Sequence, residues 1–168
     1  MEPEATRNVF DGTLLHVAVE SWPSGDREVV HHPGACAVVP LTASGDVVLV
    51  RQLREAVRRP LLEIPAGIFD VEGEDGTGCA ARELLEETGY RASDLRPLGS
   101  IFTSPGFTDE RIELFAASAE PMEGGMTEDG IDVVLMPLEE AIRAIRDGRI
   151  IDAKSVCGLL LVGLERSR

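Results

Sequence analysis

Ala80 to Gly89 read AARELLEETG, and this stretch decides both the fold and the chemistry expected of the chain. On an α-helix, positions i, i+3 and i+4 lie side by side, so Glu83, Glu86 and Glu87 project toward one region of space. Like charges at this spacing cost a helix a few tenths of a kcal/mol per pair, roughly. The cost becomes a gain when a hard divalent cation sits among the oxygens. A bare ExxEE string more often marks a solvated helix face. The flanks change that weighting: Arg82 lies beside the cluster, the glycine-rich and acidic run GIFDVEGEDGTG precedes it, and Gly89 ends the helix as a C′ residue.

Outward from the helix, the first half of the chain reads as strands. Thr13 to Trp22 alternates, PSGD turns the chain, and Arg27 to His31 runs back. Ala35 to Leu41 and Asp46 to Leu53 form a hairpin around TASG, and Leu61 to Ile64 is a further short apolar run ended by Pro65, Ala66 and Gly67. The helix is expected from about Cys79 to Thr88, since glycines at 76 and 78 cost about 1 kcal/mol each relative to alanine inside a helix. Strands resume at Leu95 to Phe102, Arg111 to Ala117 and Ile131 to Met136. Pro137 suits the first turn of a helix whose buried face is Leu138, Ala141, Ile142 and Ile145; Gly148 caps it, and Asp152 N-caps a last helix through Leu164. The order predicts an α+β fold, a mixed sheet sandwiched by helices.

The 168 residues fit one domain, and 43% apolar with 27% charged residues is the balance of a globular protein. A net charge of -14 argues against general affinity for a nucleic-acid backbone, which needs Lys and Arg to neutralise phosphates. Cys36, Cys79 and Cys157 are odd in number and far apart, with neither zinc spacing nor a disulfide framework, so a cytoplasmic location is expected. The N-terminus lacks the basic and apolar parts of a signal peptide, and no run is long enough to span a membrane. His16, His31 and His32 fit no metal spacing and are assigned no chemistry; Trp22, the single tryptophan, is assigned to packing.

Glu74, seven residues, then Arg82-Glu83-Leu84-Leu85-Glu86-Glu87-Thr88-Gly89-Tyr90 resemble the signature of the Nudix hydrolase family, G-x5-E-x7-R-E-U-x-E-E-x-G-U, where U is bulky and apolar. Six residues separate Gly67 from Glu74 where the pattern has five, so the loop carries one extra residue. Ser104 to Glu110, SPGFTDE, is similar to the proline loop of the ADP-ribose pyrophosphatase branch. HPGA at His32 to Ala35, VRQLR at Val50 to Arg54, LLEIPAG and IIDAKSVCGLLL also resemble that branch.

The resemblance implies an α/β/α sandwich with an N-terminal antiparallel strand segment. It divides the chain into residues 1–30, a dimerisation segment that helps to build the partner subunit's site, and residues 31–168, the hydrolase domain. It implies Mg²⁺, replaceable by Mn²⁺, on Glu83, Glu87, Glu86 and the Ala66 carbonyl, with Arg82 orienting the carboxylates. Arg54 and, less directly, Arg51 are expected at the phosphates, with Pro105, Phe107 and Glu110 in the substrate loop. Attack by water needs a base: Glu128 or Asp129 ahead of the last core strand, with Glu86 as the fallback. The expected reaction is hydrolysis of a nucleoside-diphosphate sugar, ADP-ribose first, by a homodimer that binds neither nucleic acid nor membrane. The rivals are a GDP-sugar, NADH or 8-oxo-nucleotide substrate, or a non-catalytic module that binds a nucleotide sugar and regulates a partner.

Overall fold

The structure is a computed structural model that describes residues 1–166; Ser167 and Arg168, to which the expected hydrolase domain extends, lie outside the described residues. Ten strands and three helices are present among the described residues. Strands β1 (Ala5–Asp11), β2 (His16–Trp22) and β3 (Gly25–His31) form a three-stranded antiparallel sheet. The remainder forms a seven-stranded mixed sheet. Its path is β10 (Ile131–Pro137), β5 (Asp46–Arg54), β4 (Ala35–Leu41), β9 (Arg111–Pro121) and β8 (Tyr90–Phe102), with β6 (Arg59–Glu63) on β5 and β7 (Ala66–Ile68) on β4. Only β4 and β9 run parallel; the other pairs are antiparallel.

Strand β4 shows why the molecule is layered. Alternate side chains of a strand point to opposite faces, and here both faces are covered. Ala35, Ala37 and Val39 enter one core with Leu49, Leu114, Leu159 and Val162, under helices α2 (Leu138–Arg146) and α3 (Ala153–Arg166). Cys36 and Val38 enter the other with Cys79, Ala80 and Leu84 of α1 (Gly76–Thr88). This is the α/β/α sandwich expected from the sequence. Gly158 lets α3 approach the sheet: a Cβ there would stand 2.9 Å from Val39 Cγ2 and 3.1 Å from Ile64 Cδ1.

Four local expectations are corrected. Helix α1 begins at Gly76, not near Cys79, because Asp75 caps it through the Gly78 N–H at 2.8 Å. The glycine there has a packing cause, since a Cβ on Gly76 would lie 2.3 Å from Glu113 Oε2 and 2.9 Å from Phe115 Cζ. Strand β1 has no counterpart in the expected elements, because every one of its residues is exposed and no alternation marks it. Ala66–Ile68, expected to end a strand, is itself strand β7, made by pairing with β4. Pro137 closes β10 and stands at the N-cap of α2, outside the first turn.

Candidate active site

The carboxylates of α1 are sorted by depth. Glu87 is 5% exposed, Glu83 is largely covered, and Glu86 faces solvent. Burial pushes the Glu87 carboxyl up to about 7, against the pull of the Ala66 N–H, which donates to Glu87 Oε2 at 3.2 Å. Burial also raises Glu83, opposed by Arg82. Gly67 leaves room for the Glu83 carboxylate: a Cβ there would fall 1.9 Å from Glu83 Cδ, so a larger residue would displace this side chain from its present position.

Arg82 sits among the acids. Its guanidinium donates to Glu83 Oε1 at 2.6 Å, Glu86 Oε2 at 3.2 Å, Asp70 Oδ1 at 3.1 Å and Glu74 Oε2 at 3.0 Å. Glu74 therefore reaches the cluster despite the extra residue in its loop. Its bond is the main reason that the guanidinium is held even more firmly charged than usual, ahead of burial, which opposes, and of Glu83. Among the described residues no three His, Cys, Asp or Glu side chains are arranged to hold a metal ion, with Glu83 turned to Arg82 and Glu87 to the Ala66 amide. The donor chemistry nevertheless suits one: oxygen donors at i and i+4 on one buried helix face are ligands for a hard divalent cation, and two desolvated carboxylates gain most from one.

Beside Gly67 opens a cleft of about 410 Å³, whose lining includes Ala66, Gly67, Arg54, Thr103, Glu110 and Lys154. Arg54 is anchored by a two-point bond to Glu63, Nε to Oε1 at 2.9 Å and Nη2 to Oε2 at 2.7 Å. Glu110 accepts from the Thr103 hydroxyl at 2.6 Å, and His32 Nε2 lies 3.7 Å from its other oxygen. Because His32 Nδ1 accepts the Gly34 N–H at 3.0 Å, a neutral ring carries its proton on Nε2, toward Glu110.

The Ser104 to Glu110 loop is tied to the first sheet. Val30 N–H donates to Phe107 O at 2.8 Å, Asp109 N–H donates to Val30 O at 3.3 Å, and Val30 and Thr108 form a parallel bridge. Asp109 takes the His31 ring nitrogen at 2.7 Å and the His32 amide at 2.9 Å. Pro105 and Phe107 line a second cavity of about 500 Å³ with Trp22, Arg27 and Phe102. Arg51 pairs with Asp132 across β5 and β10, is exposed, and lines neither cavity. Glu128 and Asp129 are exposed in the loop before β10.

The structure thus gathers Ala66, Arg54 and Glu110 around one cleft beside the α1 acids and puts Pro105 and Phe107 in the neighbouring cavity. Sequence reasoning missed His32, Thr103 and Lys154. A signal existed for the last, because it is the single lysine of the chain.

The family model of the NUDIX domain matches residues 30–158. The chain belongs to the Nudix family. A methanol dehydrogenase activator of Bacillus methanolicus is 37% identical over 171 residues, spanning 96% of this chain and 92% of that protein. An ADP-ribose pyrophosphatase of Bacillus subtilis (strain 168) is 35% identical over 172 residues, spanning 97% and 92%. The crystal structure of an ADP compounds hydrolase superposes with a TM-score of 0.81 at 22% identity, covering 99% of this Nudix chain and 95% of that one, which bears on the fold. The expected enzyme class, a Nudix pyrophosphohydrolase, holds. Nudix hydrolases generally use a divalent metal. No helix among the described residues is long and apolar enough to cross a membrane.

Proposed function

We propose that this Nudix chain hydrolyses the pyrophosphate bond of a nucleoside-diphosphate sugar, with ADP-ribose converted to AMP and ribose 5-phosphate. One observation carries the reading: the buried Glu87 and the largely covered Glu83 stand against Ala66 and Gly67, two residues that line a cleft together with Arg54 and Glu110. Acid for a cation, arginine for phosphate and a carboxylate for sugar hydroxyls are the three chemistries that such a substrate needs.

In this reading Glu83, Glu86, Glu87 and the Ala66 carbonyl hold Mg²⁺, with Mn²⁺ able to replace it. The ion supplies charge neutralisation and Lewis acidity at the diphosphate. Arg82 holds the carboxylate side chains in place, and Arg54 takes a phosphate oxygen, with Arg51 a more distant contributor. Glu110, fixed by Thr103, accepts from sugar hydroxyls. Pro105 and Phe107 shape the loop over the neighbouring cavity. The proton of the attacking water passes to Glu128 or Asp129, or to Glu86.

Residues 1–30 are assigned to homodimerisation and 31–168 to catalysis, an assignment supported by the wholly exposed strand β1. A cytoplasmic location is supported by the three free cysteines. Incubation with Mg²⁺ and a panel of ADP-ribose, a GDP-sugar, NADH and an 8-oxo-nucleotide tests the substrate. ADP-ribose is expected to turn over fastest and to give AMP and ribose 5-phosphate. Preference for another compound would replace the substrate, and no turnover of any would favour the regulatory module; the Bacillus methanolicus relative is named an activator of methanol dehydrogenase. Light scattering at micromolar concentration is expected to give a dimeric mass.

A further inference from the structure

The chain holds 16 basic residues, and its single lysine is not at the surface. Lys154, in the first turn of α3, is 8% exposed. Its ammonium donates to Glu63 Oε2 and lies 3.1 Å from Asp152 Oδ2. Glu63, 1% exposed, receives Arg54 on both oxygens. Asp152 in turn accepts the Ser155 N–H at 3.0 Å and the Ser155 hydroxyl at 2.6 Å, and the Ser155 oxygen accepts the Ile64 N–H at 2.8 Å. A continuous network, buried at Glu63, Lys154 and Ser155, therefore runs from the start of α3 through β6 to the end of β5.

Stability alone does not account for it. A buried ion pair is commonly no more stabilising than apolar side chains of the same volume, so the network is better explained by what it orients. Both Arg54 and Lys154 line the cleft beside Gly67. Arg54 Nε and Nη2 are committed to Glu63, while Nη1 has no hydrogen-bond partner among the described residues. Were Glu63 paired with Arg54 alone, one carboxylate would neutralise one guanidinium. Lys154 also faces Asp152, so two carboxylates balance two cations here, and what Lys154 adds is a second anchor on the carboxylate that holds the guanidinium at the cleft wall.

We propose that Lys154 is a positioning residue for diphosphate binding: by anchoring Glu63 together with Arg54, it holds the guanidinium at the cleft wall with Nη1 left for a phosphate oxygen. This rests on reading the cleft as a diphosphate site.

The test is calorimetric binding of ADP in the presence of Mg²⁺ to the whole native chain, Lys154→Met, Lys154→Arg, Arg54→Met and the double variant Lys154→Met/Arg54→Met. Lys154→Met is expected to weaken ADP binding by about 10–100-fold, the usual worth of a group that orients a ligand-binding residue. Arg54→Met should lose a similar amount, and the double variant no more than Arg54→Met, because the two act through one contact. Lys154→Arg should recover most of the affinity. Should Lys154→Met fail to fold by circular dichroism, Lys154→Gln, which retains a donor for Glu63 without the charge, carries the same expectation. Native-like ADP binding by the folded variant, losses that multiply in the double variant, or a native protein that does not bind ADP would each overturn the assignment. Hydrolysis of the diphosphate panel by the native protein is measured alongside; binding of ADP without any turnover would remove the proposed activity and leave the role of Lys154 standing.

Discussion

The carboxylates of α1 and those of the loop before β10 are the same chemical group in opposite settings. Glu83 and Glu87 are desolvated, fixed by Arg82 and by the Ala66 amide, and raised by burial. Glu128 and Asp129 stand in solvent, and the contact that orders their segment is a backbone one, Ile131 N–H to Glu128 O at 3.2 Å. The difference teaches where each can serve. A buried, prearranged pair is suited to holding a cation, whose charge repays the desolvation. An exposed acid on a loop must be brought to the substrate before it can act as a base.

The largest effect that would break this contrast is metal removal. Excess chelator should abolish turnover, and Mg²⁺ or Mn²⁺ should restore it; full activity in chelator would strip α1 of its assigned role. Glu83→Gln and Glu87→Gln should approach that loss, with partial recovery as Mg²⁺ is raised, read from rate against metal concentration.

Next come the loop acids. If Glu128 or Asp129 is the base, its amide variant should slow turnover by ~10²–10⁴-fold with an unchanged Mg²⁺ dependence and no rescue by excess metal. Near-normal rates in both, with unrescued failure of Glu86→Gln, would move the base onto the helix. Arg82→Met should act more mildly, lowering the rate by about 10–100-fold as the acids lose their orienting partner; a rate equal to that of the native protein would show that the arginine only balances charge.

The smallest effect is on stability. Burial pushes the Glu87 carboxyl up to about 7, well above the ordinary glutamate range, so the folded state binds this proton more tightly. Its contribution is complete below the unfolded value and is lost as pH rises through the folded one. Metal-free protein should therefore lose thermal stability between roughly pH 4.5 and 7, and Glu87→Gln should flatten that slope. An identical slope in both proteins would place the raised proton affinity elsewhere.

How much was legible follows from sequence distance. The α1 acids lie within five positions of one another, so helical spacing alone puts them together. The apolar runs of β4 and β5 around TASG likewise announce a hairpin of buried strands. The Lys154 to Glu63 contact spans 91 residues and joins a helix start to a strand end, a relation that no local period encodes. His32 escaped for a similar reason: its partner Glu110 arrives from a distant loop, and its neighbour Gly34 fixes its ring by a backbone bond. The SPGFTDE motif was readable, but its seat on Val30 was not, since that pairing uses main-chain atoms that any residue carries.

That seat also bears on how relatives can be recombined. Val30 and Thr108 belong to segments that a domain diagram would assign to different modules, yet their backbones are laced as neighbouring strands. A chimera that imports the first thirty-one residues from another family member also replaces the scaffold of the recipient's proline loop, so the two segments form one unit of exchange.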